Sequence, residues 1–92
     1  MEHRESHNVF GVQVVKGTYE GLLKRDPNER PFILARSFSA GSQRYTSVWT
    51  ADCMCSWEHL RIQIPMLLAN SICGQGFSGS DIPGFYDDPE SE

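Results

Sequence analysis

Arg36, Asp52 and Asp81 stand at comparable places in the chain, each just beyond a short run that reads as a strand. In parallel α/β folds, reactive groups collect at the C-terminal ends of strands. A guanidinium and two carboxyl groups at successive strand exits are therefore candidates to share one polar site. A plainer arrangement uses the same residues: Arg36 and Asp81 form a structural ion pair, and Asp52 caps the next helix. Aromatic residues flank these positions: Phe38, Trp49, Trp57, Phe77, Phe85 and Tyr86. Sugar rings have an apolar face, and aromatic rings pack against such faces in concave sites. Trp49, three residues before Asp52, is open to both a binding and a core role. Trp57 lies on a helix face and is expected in the core.

Two other chemistries are weaker matches. Cys53, Cys55, His59 and Cys73 are four residues of zinc-ligand type. Cys-x-Cys is nevertheless a poor clasp for a tetrahedral ion and has no second paired clasp, so free thiols are expected and no metal is assigned. Gly74-Gln75-Gly76-Phe77-Ser78-Gly79 spells G-x-G-x-x-G. It follows a helix instead of a strand, which argues against a phosphate cradle. Its glycines are expected to allow tight packing.

The elements that position these residues follow from periodicity. Residues 1–7 read as a frayed polar lead, with Asn8 as a helix cap. Val12, Val15, Tyr19 and Leu22 recur at helical spacing until Asp26-Pro27-Asn28 stops the helix. Pro31–Ala35 is a continuous apolar run suited to a strand buried on both faces. A Ser- and Gly-rich loop over 37–47 leads to a second strand at Ser47–Thr50. Ser56 caps a helix carrying Leu60, Ile64, Leu67 and Leu68, interrupted by Pro65 and ended by Gly74. Gln75–Gly79 is a third short strand, and 87–92 is an acidic tail. Helix, strand, loop, strand, helix, strand is the pattern of parallel βα units.

Length and charge narrow the class further. A chain of 92 residues holds one small domain at most. Three strands neither close a barrel nor cover both faces of a sheet, so the chain reads as a slice of a larger α/β domain. Net charge is −4, opposite in sign to a phosphate-binding surface, which argues against nucleic acid as a partner. No apolar run is long enough to span a membrane. The polar start carries no secretory signal. Three cysteines do not make a disulfide scaffold.

Four ordered stretches together resemble glycoside hydrolase family 31, the retaining α-glucosidases. They are Arg30–Tyr45, Ser47–Asp52, Trp57–Leu68 and Phe77–Phe85, in which Arg36-Ser37 precedes Gly41-Ser42 and Trp49 precedes Asp52. The resemblance runs from about Asn8 to Glu90. It implies a part of a (β/α)8 TIM barrel, around strands five to seven, over residues 8–86. The family's Trp-x-Gly-Asp-Asn motif falls on Trp49–Cys53, which maps Asp52 to the catalytic acid/base. The family's Arg-Ser segment maps Arg36, and its Gly-Ala-Asp-x-x-Gly-Phe motif maps Asp81 and Phe85, to binding of the glucosyl unit. Trp49 lines the same subsite.

The implied reaction is retaining hydrolysis of an α-linked glucoside or glucosylated N-glycan, without a cofactor. Retention needs two carboxyl groups roughly 5–5.5 Å apart, one nucleophilic and one protonated. Burial beside Trp49 and a nearby carboxylate would both favour the protonated acid, and the charge of Arg36 would keep Asp81 ionised. The family nucleophile lies in a Trp-x-Asp-Met-Asn-Glu segment that this sequence lacks, so the isolated chain is expected to be inactive. The motif glycine is Ala51, the motif asparagine is Cys53, and Ser80 replaces the alanine before Asp81. The resemblance further implies a separate β subunit as a partner of the parent protein, and residence in the endoplasmic-reticulum lumen. A non-catalytic carbohydrate- or partner-binding remnant is the alternative, and a zinc module a more distant one.

Overall fold

The structure, a computed structural model, describes residues 2–89. In chain order it contains α1 (His3–Arg25), β1 (Leu34–Ala35), a 3₁₀ turn (Ser42–Arg44), β2 (Ser47–Trp49), α2 (Trp57–Ile72) and β3 (Ser78–Gly79). The three strands form one parallel sheet in the order β1-β2-β3. Parallel neighbours need a crossover, and α2 supplies the one between β2 and β3. The link from β1 to β2 is the expected loop, tightened by the 3₁₀ turn. Ser42 is fully buried there, and its hydroxyl accepts from the Ser39 amide at 2.9 Å.

β2 is central, and its amides alternate between partners. Ser47 donates to the Ile33 carbonyl at 2.9 Å, while Val48 and Thr50 donate to Phe77 and Gly79 at 3.1 and 3.0 Å. Val48 is consequently sealed from solvent. Each strand is shorter than the stretch expected for it. Register pairs only Leu34 and Ala35 with Ser47 and Val48, and Val48 and Trp49 with Ser78 and Gly79.

α1 starts earlier than expected. The Glu2 amide donates to the Glu5 carboxylate at 3.2 Å, so the helix is capped at Glu2, ahead of Asn8, and residues 3–7 are helical. Gly11 is required for its packing: a Cβ there would sit 2.5 Å from the Ser37 Cβ, so the helix lies almost in contact with the chain leaving β1. α2 begins as expected, with the Ser56 hydroxyl accepting from the His59 amide at 3.2 Å. Gly74 follows its end at φ 87°, a left-handed conformation suited to glycine.

Several expectations are corrected. Trp57 is exposed instead of packed in a core, and lines a shallow surface pocket with Leu60, Pro83 and Pro89. Gly76 and Gly79 face open space, so the glycine run is not a tightly packed one. Among the described residues the buried apolar side chains are Val15, Ala35, Val48 and Cys53, while Phe32, Leu34, Ile62, Ile64 and Leu68 are all exposed. The acidic tail is irregular through 87–89, and its last three residues lie outside the described residues. No described helix is long and apolar enough to cross a membrane.

Candidate active site at the strand exits

Beyond the last ladder bond, from the Thr50 amide to the Gly79 carbonyl, β2 and β3 diverge. The chain after β2 turns through Ala51, whose φ is 66°. It rejoins the chain after β3 at a parallel bridge between Met54 and Tyr86. There Phe85 donates to the Cys53 carbonyl at 2.7 Å and Cys55 donates to the Tyr86 carbonyl at 2.9 Å. Between ladder and bridge lies an open cleft of about 350 Å³, lined by Leu34, Trp49, Asp52, Gly79, Ser80, Asp81 and Phe85.

The fold therefore brings together four of the five expected site residues on its lining: Asp52, Trp49, Asp81 and Phe85. The fifth, Arg36, stands beside the cleft with its guanidinium 3.5 Å from the Asp52 carboxylate. Both members of that pair are solvent-accessible, at 60 % and 37 % for their side chains, so the bond organises the site more than it stabilises the fold. Two expectations change here. Arg36 pairs with Asp52 and not with Asp81, and the burial of Asp52 beside Trp49 is incomplete. The plainer arrangement also fails, because Ser56 caps α2 in place of Asp52.

Asp81 is held differently. Its Oδ2 atom is buried without a hydrogen-bond partner, as is the Thr50 hydroxyl. A buried acceptor without a donor is costly, and such an atom is under-satisfied by its own chain. Its backbone carbonyl is well partnered. It accepts from the Gln63 side-chain amide at 3.3 Å and from the Cys53 thiol at 3.5 Å.

The remaining aromatics are elsewhere. Phe77 precedes β3 and stacks at a tilt on Phe32, ring centroids 6.0 Å apart, at the opposite end of the strands. Phe38 lines a separate groove with His3 and His7. Tyr86 contributes backbone to the bridge. Leu34, Gly79 and Ser80 entered the lining unannounced by residue type. Only the alternation of side chains along β1 and the turn out of β3 place them there.

The four possible zinc ligands are not gathered. Among the described residues no group of three metal-ligand side chains exists. His59 Nδ1 accepts from the Met54 amide at 2.8 Å, Cys53 is buried, and Cys73 is exposed at the far end of α2. The Cys55 thiol titrates above its usual range, chiefly through partial desolvation, then through the charges of Cys53, Asp87 and Asp88.

A small parallel sheet with a helical crossover and acidic residues at successive strand exits is consistent with a piece of a TIM barrel. The chain belongs to glycosyl hydrolases family 31: residues 1–92 match that family's TIM-barrel domain. It is 54 % identical over 92 residues to human neutral alpha-glucosidase C, covering 99 % of this chain and 10 % of that protein. It is 49 % identical to the glucosidase 2 subunit alpha of Schizosaccharomyces pombe, with the same coverage. The crystal structure of a glucosidase II alpha subunit bound to α3-Glc2 superposes with a TM-score of 0.89 at 46 % identity. That match covers 96 % of this chain and 10 % of the other. The chain thus spans about a tenth of the length of the relatives it matches.

Proposed function

We propose that this chain supplies the acid/base and part of the glucosyl subsite of a retaining α-glucosidase, being the stretch around barrel strands five to seven. The observation that carries the reading is the cleft itself, where Asp52, Asp81, Trp49 and Phe85 converge although they are distributed over two strand exits and the loop beyond β3. Asp52 gives its proton to the departing glycosidic oxygen, then takes one from the water that resolves the glycosyl intermediate. The nucleophilic carboxylate belongs to a segment that this sequence does not contain.

Arg36 orients the Asp52 carboxylate and donates to ring hydroxyls from its free N–H groups. Trp49 and Phe85 offer apolar faces to the sugar. The substrate class is an α-linked glucoside, with glucosylated N-glycan as the expected natural form and the endoplasmic-reticulum lumen as the expected place. One solved relative is the complex of a catalytic subunit with the binding domain of a regulatory subunit. A second subunit is accordingly the expected partner of a parent protein.

A grafting experiment tests this. Substituted for the corresponding segment of a glucosidase II alpha subunit, this sequence should support release of p-nitrophenol from its α-glucoside. Asp52→Asn in the graft should lower kcat by about 10²–10⁴-fold. Asp81→Asn should chiefly raise KM. Glucose binding without turnover in the graft would favour the alternative, a non-catalytic binding remnant.

A further inference from the structure

We propose that Gln63, on α2, is a positioning residue that locks the Asp52-bearing and Asp81-bearing loops into one frame. The proposal rests on the reading of those two carboxylates as the sugar-facing pair. Gln63 is a polar side chain with only 3 % of its surface exposed, on a helix whose apolar residues Ile62, Ile64 and Leu68 are exposed. A helix that buries an amide in preference to its aliphatic neighbours has a use for that amide.

All of its bonding groups are engaged across the gap between the β2–β3 ladder and the Met54–Tyr86 bridge. Nε2 donates to the Asp81 carbonyl at 3.3 Å and to the Cys53 sulfur at 2.7 Å. Oε1 accepts from the Ser80 hydroxyl at 2.9 Å. The Cys53 thiol in turn donates to the same Asp81 carbonyl at 3.5 Å, closing a ring. Cys53 is the residue after Asp52, and Ser80 is the residue before Asp81.

The gap needs such a link because no backbone bond between the strand exits spans it. The last ladder bond ends at Gly79 and the next backbone bonds begin at Cys53 and Phe85. Ala51 turns through a positive φ in the same interval. Within that interval Gln63 supplies the side-chain bonds between the exits, beside the weaker thiol contact, and the separation of two carboxyl groups depends on the relative setting of those exits. An amide suits this task better than a hydroxyl or a carboxylate, since it donates twice and accepts in one plane. Gln63 bonds to neither carboxylate, so it acts through Cys53, Ser80 and the Asp81 backbone and has no part in the chemistry.

The test uses the 92-residue chain with Gln63→Met, which keeps the length of the side chain and removes its donors. Leu67→Ala serves as a control that loosens the same helix without altering the ring. Three readouts are compared: site-resolved alkylation of Cys53 against Cys73, backbone amide resonances of Asp52 and Asp81, and the response of Trp49 fluorescence to glucose. Gln63→Met should speed Cys53 alkylation at least about tenfold, as expected for loss of a buried hydrogen-bond partner, with Cys73 unchanged. It should shift the amide signals of both Asp52 and Asp81, and it should abolish the glucose response that Leu67→Ala retains.

Unchanged Cys53 reactivity and unchanged Asp signals in Gln63→Met would overturn the proposal. So would equal changes in Leu67→Ala, which would reduce Gln63 to packing. Ser80→Ala, which removes only the Oε1 partner, should shift Asp81 more than Asp52. Should the unmodified chain give no glucose response while alkylation and amide signals behave as expected, the lock stands and the glucosyl-subsite reading fails.

Discussion

Ala51 shows how a single departure from a motif becomes physical. The resemblance places a glycine before the acid/base, and the structure gives Ala51 a φ of 66°. A left-handed residue with a Cβ is strained by roughly 1–2 kcal/mol, a cost that glycine escapes. Ala51→Gly should therefore raise the urea midpoint by an amount equivalent to about 0.5–1 kcal/mol, after the greater freedom of glycine in the unfolded chain is counted. Ala51→Val should lower it. A lower midpoint for Ala51→Gly would mean that the turn is held by something other than its own backbone preference.

Cys55 makes the second residue-scale case. Desolvation first, then the electrostatic influence of Cys53, Asp87 and Asp88, holds its thiol protonated to higher pH than in the unfolded chain. Below the ordinary thiol range both states carry the proton and Cys55 adds no pH dependence. As pH rises through that range the unfolded chain releases its proton first, so stability falls until the folded thiol also ionises. Two changes follow. Cys55→Ser should flatten the alkaline loss of stability seen in urea titrations, and Asp87→Asn with Asp88→Asn should move the alkylation profile of Cys55 to lower pH. An unmoved profile would leave those carboxylates without influence on the thiol.

At the scale of elements, the paired segments of the Met54–Tyr86 bridge, a strap beyond the cleft, depend on a close approach. A Cβ on Gly84 would lie 2.5 Å from the Cys55 nitrogen and 2.6 Å from the Met54 carbonyl carbon, both backbone atoms with no room to move aside. Gly84→Ala should destabilise the strap by about 1–3 kcal/mol, the usual range for overpacking. The loss should appear as faster hydrogen exchange at Cys55 and Phe85, whose amides make the bridge, with α1 unaffected. Uniformly faster exchange would instead mean that strap and helix unfold together.

The same elements show what residue order reveals and what it hides. Ser56, Gly74 and the three parallel strands were legible, because caps, stops and apolar runs are local signals. The meeting of Asp52 and Asp81 was legible too, since strand exits in parallel sheets converge, whereas Trp49 and Phe85 were assigned to that place by the family resemblance. The start of α1 was missed because Glu5 caps Glu2 through a side chain that looks like solvated surface. Trp57 was misplaced because an amphipathic pattern announces a buried face whether or not this stretch of chain contains what buries it. Gln63 gave no signal at all: a lone amide within a helical pattern is unremarkable until three partners from two other segments surround it.

At the scale of the whole molecule the same deficit has a size. A compact monomer of this mass would expose about 5,400 Å² and have a radius of gyration near 12 Å. This chain exposes 7065 Å² and has a radius of 15.7 Å. The surplus of roughly 1,700 Å² is as large as the total area of a standard protein interface. Much of it is aliphatic and aromatic, from Phe32, Leu34, Ile62, Ile64, Leu68, Ile72 and Phe77. Such a surface, flanked by the free edges of β1 and β3, matches the neighbours that a complete barrel would pack there. Stability should then depend on supplying them. Added to the remainder of a glucosidase II alpha subunit from which this segment has been deleted, the chain should show a urea midpoint that climbs with partner concentration. The gain should reach about 2.7 kcal/mol at a hundredfold excess over Kd. Hydrolysis of p-nitrophenyl α-glucoside should appear only in the mixture. Asp52→Asn should remove the hydrolysis and leave the climb in midpoint intact, separating assembly from chemistry. A midpoint indifferent to partner concentration would mean that this surface does not recognise the rest of the barrel.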